Sequence, residues 1–137
     1  MVLDSKEVNK LVIQAEQGED GANLINRSTP IAFIAHGKYW VNNHAHVLDA
    51  INIDVLKYLE VFINAIDLKP YLTGTAQPKM NQAKMNSILV ALPPMAEQIH
   101  IVEKVESLFE HIEEIQSHLL ELPDVHDTLV STILGFV

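Results

Sequence analysis

Cysteine is absent from the 137-residue sequence, which excludes disulfide bonds, thiolate metal ligands and a cysteine nucleophile. No run of about 18 apolar residues occurs, and the N-terminus lacks the charged-then-apolar pattern of a secretory signal, so neither a membrane span nor an exported precursor is predicted. These absences are compatible with the cytoplasm, which is the location we expect. The hydrophobic content of 48% predicts a folded chain of about one domain.

Arginine occurs once, and the net charge is −9. A surface that holds nucleic-acid phosphates is usually basic, because Lys and Arg release the condensed counterions. The charge is distributed unevenly, since nine of the eighteen acids lie from Glu97 to Asp127. Lys69, Lys79 and Lys84 instead lie in a stretch that contains no acid. The acidic half is therefore a poor surface for a polyanion, and the middle of the chain is a better one.

The chain is organised around residues 86–122. Ile88 to Leu92 form a short apolar run closed by Pro93-Pro94, which predicts a strand that must end there because proline donates no ladder hydrogen bond. No Gly or Pro then occurs from Met95 to Leu122. Good helix formers fill this interval, so one continuous helix is predicted over 95–122, with a break or kink at Pro123.

Apolar residues recur along this helix at alternating spacings of four and three. A period of about 3.5 residues predicts a coiled-coil-like seam that packs lengthwise on another helix. The predicted interface residues, here called the seam, are Ile101, Val105, Leu108, Ile112, Ile115, Leu119 and Leu122. The same spacing continues to the C-terminus through His126, Leu129, Ile133 and Phe136. A chain with this seam is expected to associate with itself or with another subunit unless residues 124–136 fold back over it.

The N-terminal part predicts one helix and several short strands. Asp4 and Glu7 resemble a capping box, and the apolar positions that follow have helical spacing, so an amphipathic helix is predicted over 5–17. Short runs rich in apolar and aromatic residues, punctuated by Pro and Gly, predict three strands. These strands are expected at 31–35, 38–42 and 45–50.

The middle of the chain predicts a longer helix and then a single helical turn. Asn52 or Asp54 can cap a helix over 55–66, and Asn81 can cap a turn through Met85. The predicted fold is therefore α+β. It consists of a small mixed lobe with short strands over residues 1–94, followed by a long heptad-patterned helical region over residues 95–137.

The polar stretch from Gly74 to Lys79 is the strongest candidate binding segment. Its small residues allow close backbone approach, Thr75 and Gln77 offer donors and acceptors for phosphate oxygens or base edges, and Lys79 adds charge. Lys84 follows five residues later and adds a second charge. An ordinary connection between a helix and a strand explains these residues equally well.

The histidines predict no metal site, and no cofactor is expected. His44 and His46 lie on one face of a predicted strand, but no third ligand has suitable spacing, so we favour an interpretation in which His44 and Asn42 satisfy backbone groups over a zinc site. His111 and His118 are about 10 Å apart along the helix, too far for one ion, and are interpreted, like His100, as interface or surface residues. No glycine-rich phosphate loop and no nucleophile elbow occur, so no catalytic residue is predicted.

Three segments, in the same order and spacing, resemble the specificity (S) subunits of type I restriction–modification systems. Residues 88–106, with Leu92-Pro93-Pro94-Met95-Ala96-Glu97-Gln98 at their centre, are similar to the "lPPlaEQ..Iv.kie" segment that closes a target-recognition domain. Residues 74–81 are similar to the "g.aQp.in" segment, and residues 41–45 to the "vN.ha" segment. The resemblance covers roughly residues 31–136, while residues 1–30 match nothing in it.

In that family an S subunit carries two target-recognition domains that each recognise half of a split DNA sequence, held apart by antiparallel conserved helices. Two modification subunits methylate adenine, and restriction subunits cut. The resemblance implies that this chain is the latter part of one recognition domain plus its conserved helix. It further implies a non-catalytic component whose partners are DNA, the modification methyltransferase subunit and the restriction subunit, in a hetero-complex or homo-oligomer.

Two functions of different classes therefore remain open. In the first, the chain recognises DNA within a type I complex and docks the methyltransferase subunits, with Thr75, Gln77, Lys79 and Lys84 as the predicted DNA contacts. In the second, it is a truncated S-like helical interaction module whose seam binds a partner subunit or a second copy without touching DNA. The net charge of −9 favours the second.

Overall fold

The computed structural model describes residues 9–14, 22–25, 29–41, 44–75 and 77–135 of the protein. The chain forms two compact units, with the boundary between Val102 and Glu103. The first unit contains the sheet, the shorter helices and the first two turns of the long C-terminal helix. The second unit contains the rest of that helix. The α+β class predicted from the sequence is confirmed.

A three-stranded antiparallel sheet forms the base of the first unit. Its strands are β1 (Lys10–Gln14), β2 (Ala32–Ala35) and β3 (Ala45–Leu48), in the order β2-β1-β3. The predicted strands at 31–35 and 45–50 are confirmed, whereas the predicted helix over 5–17 is wrong, because residues 10–14 form the central strand. The rest of that predicted helix lies outside the described residues.

Position in the sheet explains why β1 is a strand. Both edges of a central strand are paired, and Leu11, Val12 and Ile13 are all buried. Leu11 and Ile13 face the hydrophobic core, and Val12 lies on the opposite face, between Phe33 and Val47 in the register. A run of three consecutive buried apolar residues fits a strand that is covered on both faces.

An ion pair crosses from β1 to the end of β3 on the face away from the core. The Lys10 ammonium pairs with the Asp49 carboxylate, which also accepts the backbone N–H of Ala50. The hydrogen bond from Lys10, then that from Ala50, holds the pKa of Asp49 below its usual range. Because Asp49 is largely exposed, solvent screening keeps the contribution of this pair to stability small.

Helix α2 (Ile53–Ala65), which follows the short helix α1 (Ala22–Ile25), covers the core face of the sheet. The predicted cap is confirmed, because the Asn52 side chain accepts a hydrogen bond from the Val55 N–H at 3.0 Å. Apolar residues from α1, α2, the sheet and the following loops build one core. Its largest fully buried side chains are Leu11, Ile13, Leu24, Ile31, Leu56, Leu68 and Met80.

Two other predicted strands do not form. The segment 38–42 contributes only an isolated bridge residue, Trp40, and its Asn42 lies outside the described residues. The run Ile88–Leu92 is not paired as a strand, and Leu89 is 87% exposed. Apolar composition is not sufficient for a strand, since its backbone groups also need a partner edge, and here the Ala91 carbonyl bonds a side chain of α2 instead.

The C-terminal half of the chain is helical. A 3-10 helix (Lys69–Tyr71) leads into the candidate binding segment, and α3 (Gln82–Asn86) follows it with the predicted cap Asn81. The helix α4 (Met95–Leu134) then runs for 40 residues. This helix begins at Met95, as predicted. It is not interrupted at Pro123, although proline has no N–H to donate a hydrogen bond to the Leu119 carbonyl. Among the described residues, no helix has the length and hydropathy needed to cross a membrane.

Candidate nucleic-acid interface

A closed loop over residues 73–79 contains most of the predicted contact residues. Thr73 and Lys79 form an antiparallel bridge in which each backbone N–H donates to the other's carbonyl, at 2.8 and 2.9 Å. The Thr73 hydroxyl also donates to the Lys79 carbonyl, at 3.1 Å. Three hydrogen bonds therefore join the two ends of the loop, Thr73 and Lys79.

Gly74 makes this closure possible. Its φ is +88°, a conformation that side chains with a Cβ rarely adopt, and a Cβ there would lie 2.8 Å from the Gln77 carbonyl oxygen. The close backbone approach that small residues allow thus occurs within the loop, between Gly74 and Gln77.

The C-terminal end of the loop is anchored to the core. Pro78 is buried, and Met80 is 1% exposed within the core cluster. His46 of β3 adds a polar anchor, because its Nε2 lies 2.8 Å from the Met80 carbonyl oxygen. A carbonyl oxygen only accepts, so Nε2 carries a proton and donates. The base of the loop is therefore fixed to the sheet by packing and by one hydrogen bond.

The predicted contact residues fall into two groups. Thr75, Gln77 and Lys79 all belong to the closed loop, and all three are exposed. Lys84 lies in α3 and is half-buried. Its N–H donates to the Asn81 side chain and its carbonyl accepts from Ser87, so only its side chain is available to a partner. The structure thus brings three of the four candidates onto one loop and leaves the fourth on the helix that follows.

The charge around the loop is positive within an acidic protein. No acid occurs from Leu68 to Ala96, an interval that contains Lys69, Lys79 and Lys84. The acids nearest in sequence to Lys79 and Lys84 are Asp67 and Glu97, and the Asp67 carboxylate accepts the backbone N–H of Lys69 at 3.0 Å.

His46 uses one ring nitrogen in a hydrogen bond to the Met80 carbonyl. Because Nε2 of His46 donates to Met80, that nitrogen has no lone pair to offer an ion. Among the described residues, no three His, Asp or Glu side chains come together in a metal-binding arrangement. His46 thus bonds a backbone group, whereas the role predicted for His44 stays a prediction and Asn42 lies outside the described residues.

Hydrogen bonds around Pro93-Pro94 join the start of α4 to the rest of the first unit. The Tyr58 hydroxyl of α2 donates to the Ala91 carbonyl at 2.5 Å, and the Gln98 amide donates to the Pro93 carbonyl at 2.7 Å. Gln98 is 3% exposed, and its Oε1 finds no donor among the described residues. Val102, one turn further along, is also buried.

Among the described side chains of the seam, those from Leu108 onward are exposed. Ile101 and Val105 are half-buried, whereas Leu108, Ile112, Ile115 and Leu119 are 51, 47, 58 and 57% exposed. The side chain of Leu122 lies outside the described part of the chain. Because α4 continues to Leu134, residues 124–134 extend along the same helix and do not fold back over the seam.

Sequence reasoning missed the contacts that hold the loop. The residues of the bridge, Thr73 and Lys79, are six apart, and the His46–Met80 bond spans 34 residues. The sequence does contain a signal for the closure, since a glycine and a proline bracket three polar or small residues. Nothing in the local pattern could indicate the histidine anchor.

Comparison with known proteins gives two consistent matches. Residues 15–122 match the family described as type I restriction modification DNA specificity domain. The matched range includes the closed loop and the seam, and it begins earlier than the residue-31 start of the sequence resemblance.

A Haemophilus influenzae protein named as a type I restriction enzyme specificity subunit, S.HindORF215P, is 31% identical over 99 residues. The alignment covers 72% of this chain and 24% of that protein. The chain therefore spans about a quarter of the length of the curated relative that it matches.

Proposed function

The chain belongs to the type I restriction–modification specificity family, and from this membership we propose that it recognises DNA within a type I complex, using the closed loop as a contact surface. Specificity subunits are non-catalytic, so no bond-making step is assigned to any residue. The chemistry is supplied by the modification methyltransferase and restriction subunits of such a complex.

The observation that carries this proposal is the closed loop. Thr75 and Gln77 present hydroxyl and amide groups, which pair with phosphate oxygens and base edges, from a loop whose ends are joined by three hydrogen bonds. A loop whose ends are already joined loses less conformational entropy when it binds. Lys79, at the end of the loop, supplies a charge for a neighbouring phosphate, and Lys84 supplies another.

The limited positive charge predicts weak binding by the chain alone. A few phosphate contacts release few counterions, so most of the affinity must come from the other subunits of the complex. The chain would then determine which DNA sequence is recognised, and the other subunits would supply most of the binding affinity. Docking of the methyltransferase subunit through the exposed seam of α4 is the second part of the proposal.

Adenine methylation of cellular DNA provides the test. We would co-express the chain with a modification subunit of a type I system and map methylated adenines by sequencing. The proposal predicts methylation at a defined motif only when both are present. The Gln77→Ala change should relax one position of that motif, because a bidentate amide–base contact discriminates by about 1–3 kcal/mol.

The exposed Gln82→Ala change in α3 is the matched control and should leave the motif unchanged. The wild type, the Gln77→Ala and Gln82→Ala variants and the Thr75→Ala, Gln77→Ala double variant could all give the same methylated motif. That result would show that the closed loop takes no part in sequence recognition. Absence of any chain-dependent methylation would contradict the proposed role as a whole.

The second candidate function is a helical interaction module that does not touch DNA. The uncovered seam and the net charge of −9 favour it. Its test is association: combined Leu108→Asp and Ile115→Asp changes should abolish self-association or co-purification with the modification subunit. If binding is lost while the wild-type complex shows no affinity for DNA at low salt, this candidate replaces the first.

A further inference from the structure

The two lysines that are candidates for phosphate contact belong to neighbouring elements joined by a single residue. Lys79 ends the closed loop, through its bridge to Thr73. Asn81 caps α3, because its side chain accepts a hydrogen bond from the Lys84 N–H at 2.9 Å. Met80 lies between the loop and this cap. The separation of the two lysines therefore depends on the backbone at Met80, here called the junction.

A side chain of the sheet bonds the junction. His46 of β3 donates from Nε2 to the Met80 carbonyl oxygen at 2.8 Å, and this carbonyl is part of the peptide group that joins Met80 to Asn81. The apolar burial of the Met80 side chain has no directional preference, whereas a hydrogen bond depends on angle as well as distance. The bond from His46 therefore fixes the orientation of the peptide group from which α3 begins.

His46 reaches the junction from the core face of the sheet. It is opposite Ile13 in the register, and residues opposite each other in an antiparallel pair lie on the same face. Ile13 belongs to the hydrophobic core, and His46 is half-buried beside it. Because Nε2 is already bonded to Met80, an effect of that nitrogen on DNA binding must be transmitted through the junction.

We propose that His46 is a positioning residue, which holds Lys79 and Lys84 at the separation at which both reach phosphates of one bound duplex. This inference rests on the proposed function and names the residue that sets the geometry of the same site. Without the bond, the loop and α3 keep their own hydrogen bonds but turn relative to each other at the junction. One lysine then reaches its phosphate and the other does not.

Two amide substitutions at His46 form a matched pair. The amide nitrogen of His46→Gln is as many bonds from Cα as Nε2 is, so it can donate to the Met80 carbonyl. The amide nitrogen of His46→Asn corresponds to Nδ1 and does not reach that carbonyl. Both side chains are neutral amides with the same donors and acceptors, so the comparison isolates the hydrogen bond to the junction.

DNA binding by the assembled complex is measured at several salt concentrations. We expect His46→Asn to lower the affinity about three- to tenfold and to reduce the slope of log K against log salt by about one unit, because one phosphate contact is lost. His46→Gln should retain the affinity and slope of the wild type. Asn52→Ala, which removes the capping hydrogen bond of α2, controls for a similar loss of stability and should change neither.

A double variant tests whether His46 acts through the lysines. When Lys84→Ala is already present, His46→Asn should cause no further fall in the slope, because only one of the two contacts remains to be made. A further fall of one unit in that background would contradict the positioning role.

The remaining outcomes separate this inference from the function on which it rests. A wild-type slope in His46→Asn would overturn the inference, even with reduced affinity, since the lysine contacts would then be intact. A reduced slope in His46→Gln would also overturn it, and that result does not depend on whether His46→Asn folds. Combined Lys79→Ala and Lys84→Ala changes test the proposed function itself. An unchanged slope in that variant would remove the closed loop and α3 from the DNA interface, and the inference with them.

Discussion

Asn64 of α2 pairs through its side-chain amide with both backbone groups of Ala32 in β2. Its Oδ1 accepts the Ala32 N–H at 3.1 Å, and its Nδ2 donates to the Ala32 carbonyl at 2.8 Å. Oδ1 also accepts the Ile31 N–H at 3.0 Å. β2 is an edge strand, and the amide supplies the groups that a further strand would supply.

The Asn64→Leu change should therefore destabilise the first unit by about 2–4 kcal/mol, because it leaves three backbone groups of a buried edge unpaired. Urea unfolding followed by far-UV circular dichroism measures this loss. The exposed Asn86→Leu change is the control and should shift stability by less than about 0.5 kcal/mol. Equal losses in the two variants would show that β2 does not depend on the amide.

The two glycines at positive φ on either side of α2, Gly37 and Gly74, should differ in their response to substitution. Gly37 has a φ of +71°, and a Cβ added there would meet nothing within 4 Å, whereas a Cβ at Gly74 would meet the Gln77 carbonyl oxygen at 2.8 Å. Gly37→Ala should cost about 1 kcal/mol, and Gly74→Ala about 2–3 kcal/mol. Thermal unfolding compares them.

The same two glycine variants distinguish an effect on stability from an effect on DNA binding. In the assembled complex, Gly74→Ala should also weaken DNA binding, because the loop must open to admit the methyl group, whereas Gly37→Ala should not. If the two variants lose the same stability and bind DNA equally, the closed geometry of the loop has no role in recognition.

The junction at the start of α4 should tolerate an apolar residue better than a charged one. Gln98 is buried, and its Oε1 has no donor among the described residues. Gln98→Met removes that unpaired acceptor together with the bond to Pro93, so stability should change by less than about 1 kcal/mol. Gln98→Glu places a carboxylate in the same site and should cost about 2–3 kcal/mol at pH 8.

The sign of the pH dependence follows from burial. Burial raises the folded-state pKa of the introduced carboxyl above its unfolded value, so the penalty is full above the folded pKa and disappears below the unfolded pKa. Urea unfolding of Gln98→Glu at pH 8 and pH 5 should show a smaller deficit at pH 5. The exposed Gln116→Glu change should show no such trend, and an equal deficit at both pH values would contradict the buried environment of Gln98.

The sequence predicted those parts of the fold in which local signals decide the structure. Asn52 and Asn81 are capping residues whose side chains act within three residues, so α2 and α3 could be located from the chain alone. The start of α4 follows likewise from Pro93-Pro94, which excludes helix before it.

Tertiary contacts determine the structure of the segments that the sequence did not predict. Leu11 and Val12 fit both a helical and an extended pattern, and only the presence of partner strands on both sides makes the segment β1. Ile88–Leu92 has strand composition but pairs with no strand among the described residues. The candidate residues of the closed loop were found from their chemistry, whereas the anchor from His46 to Met80 joins residues 34 apart and has no local signature.

The salt dependence of DNA binding by the assembled complex tests the central claim most directly. The slope of log K against log salt falls by roughly one unit for each phosphate contact removed. If the closed loop and α3 contact DNA, combined Lys79→Ala and Lys84→Ala changes should lower affinity and reduce the slope by about two units. Lys57→Ala in α2 is the control and should leave the slope unchanged. An unchanged slope in the double variant, with the complex still assembled, would contradict the account and favour an interaction module that does not contact DNA.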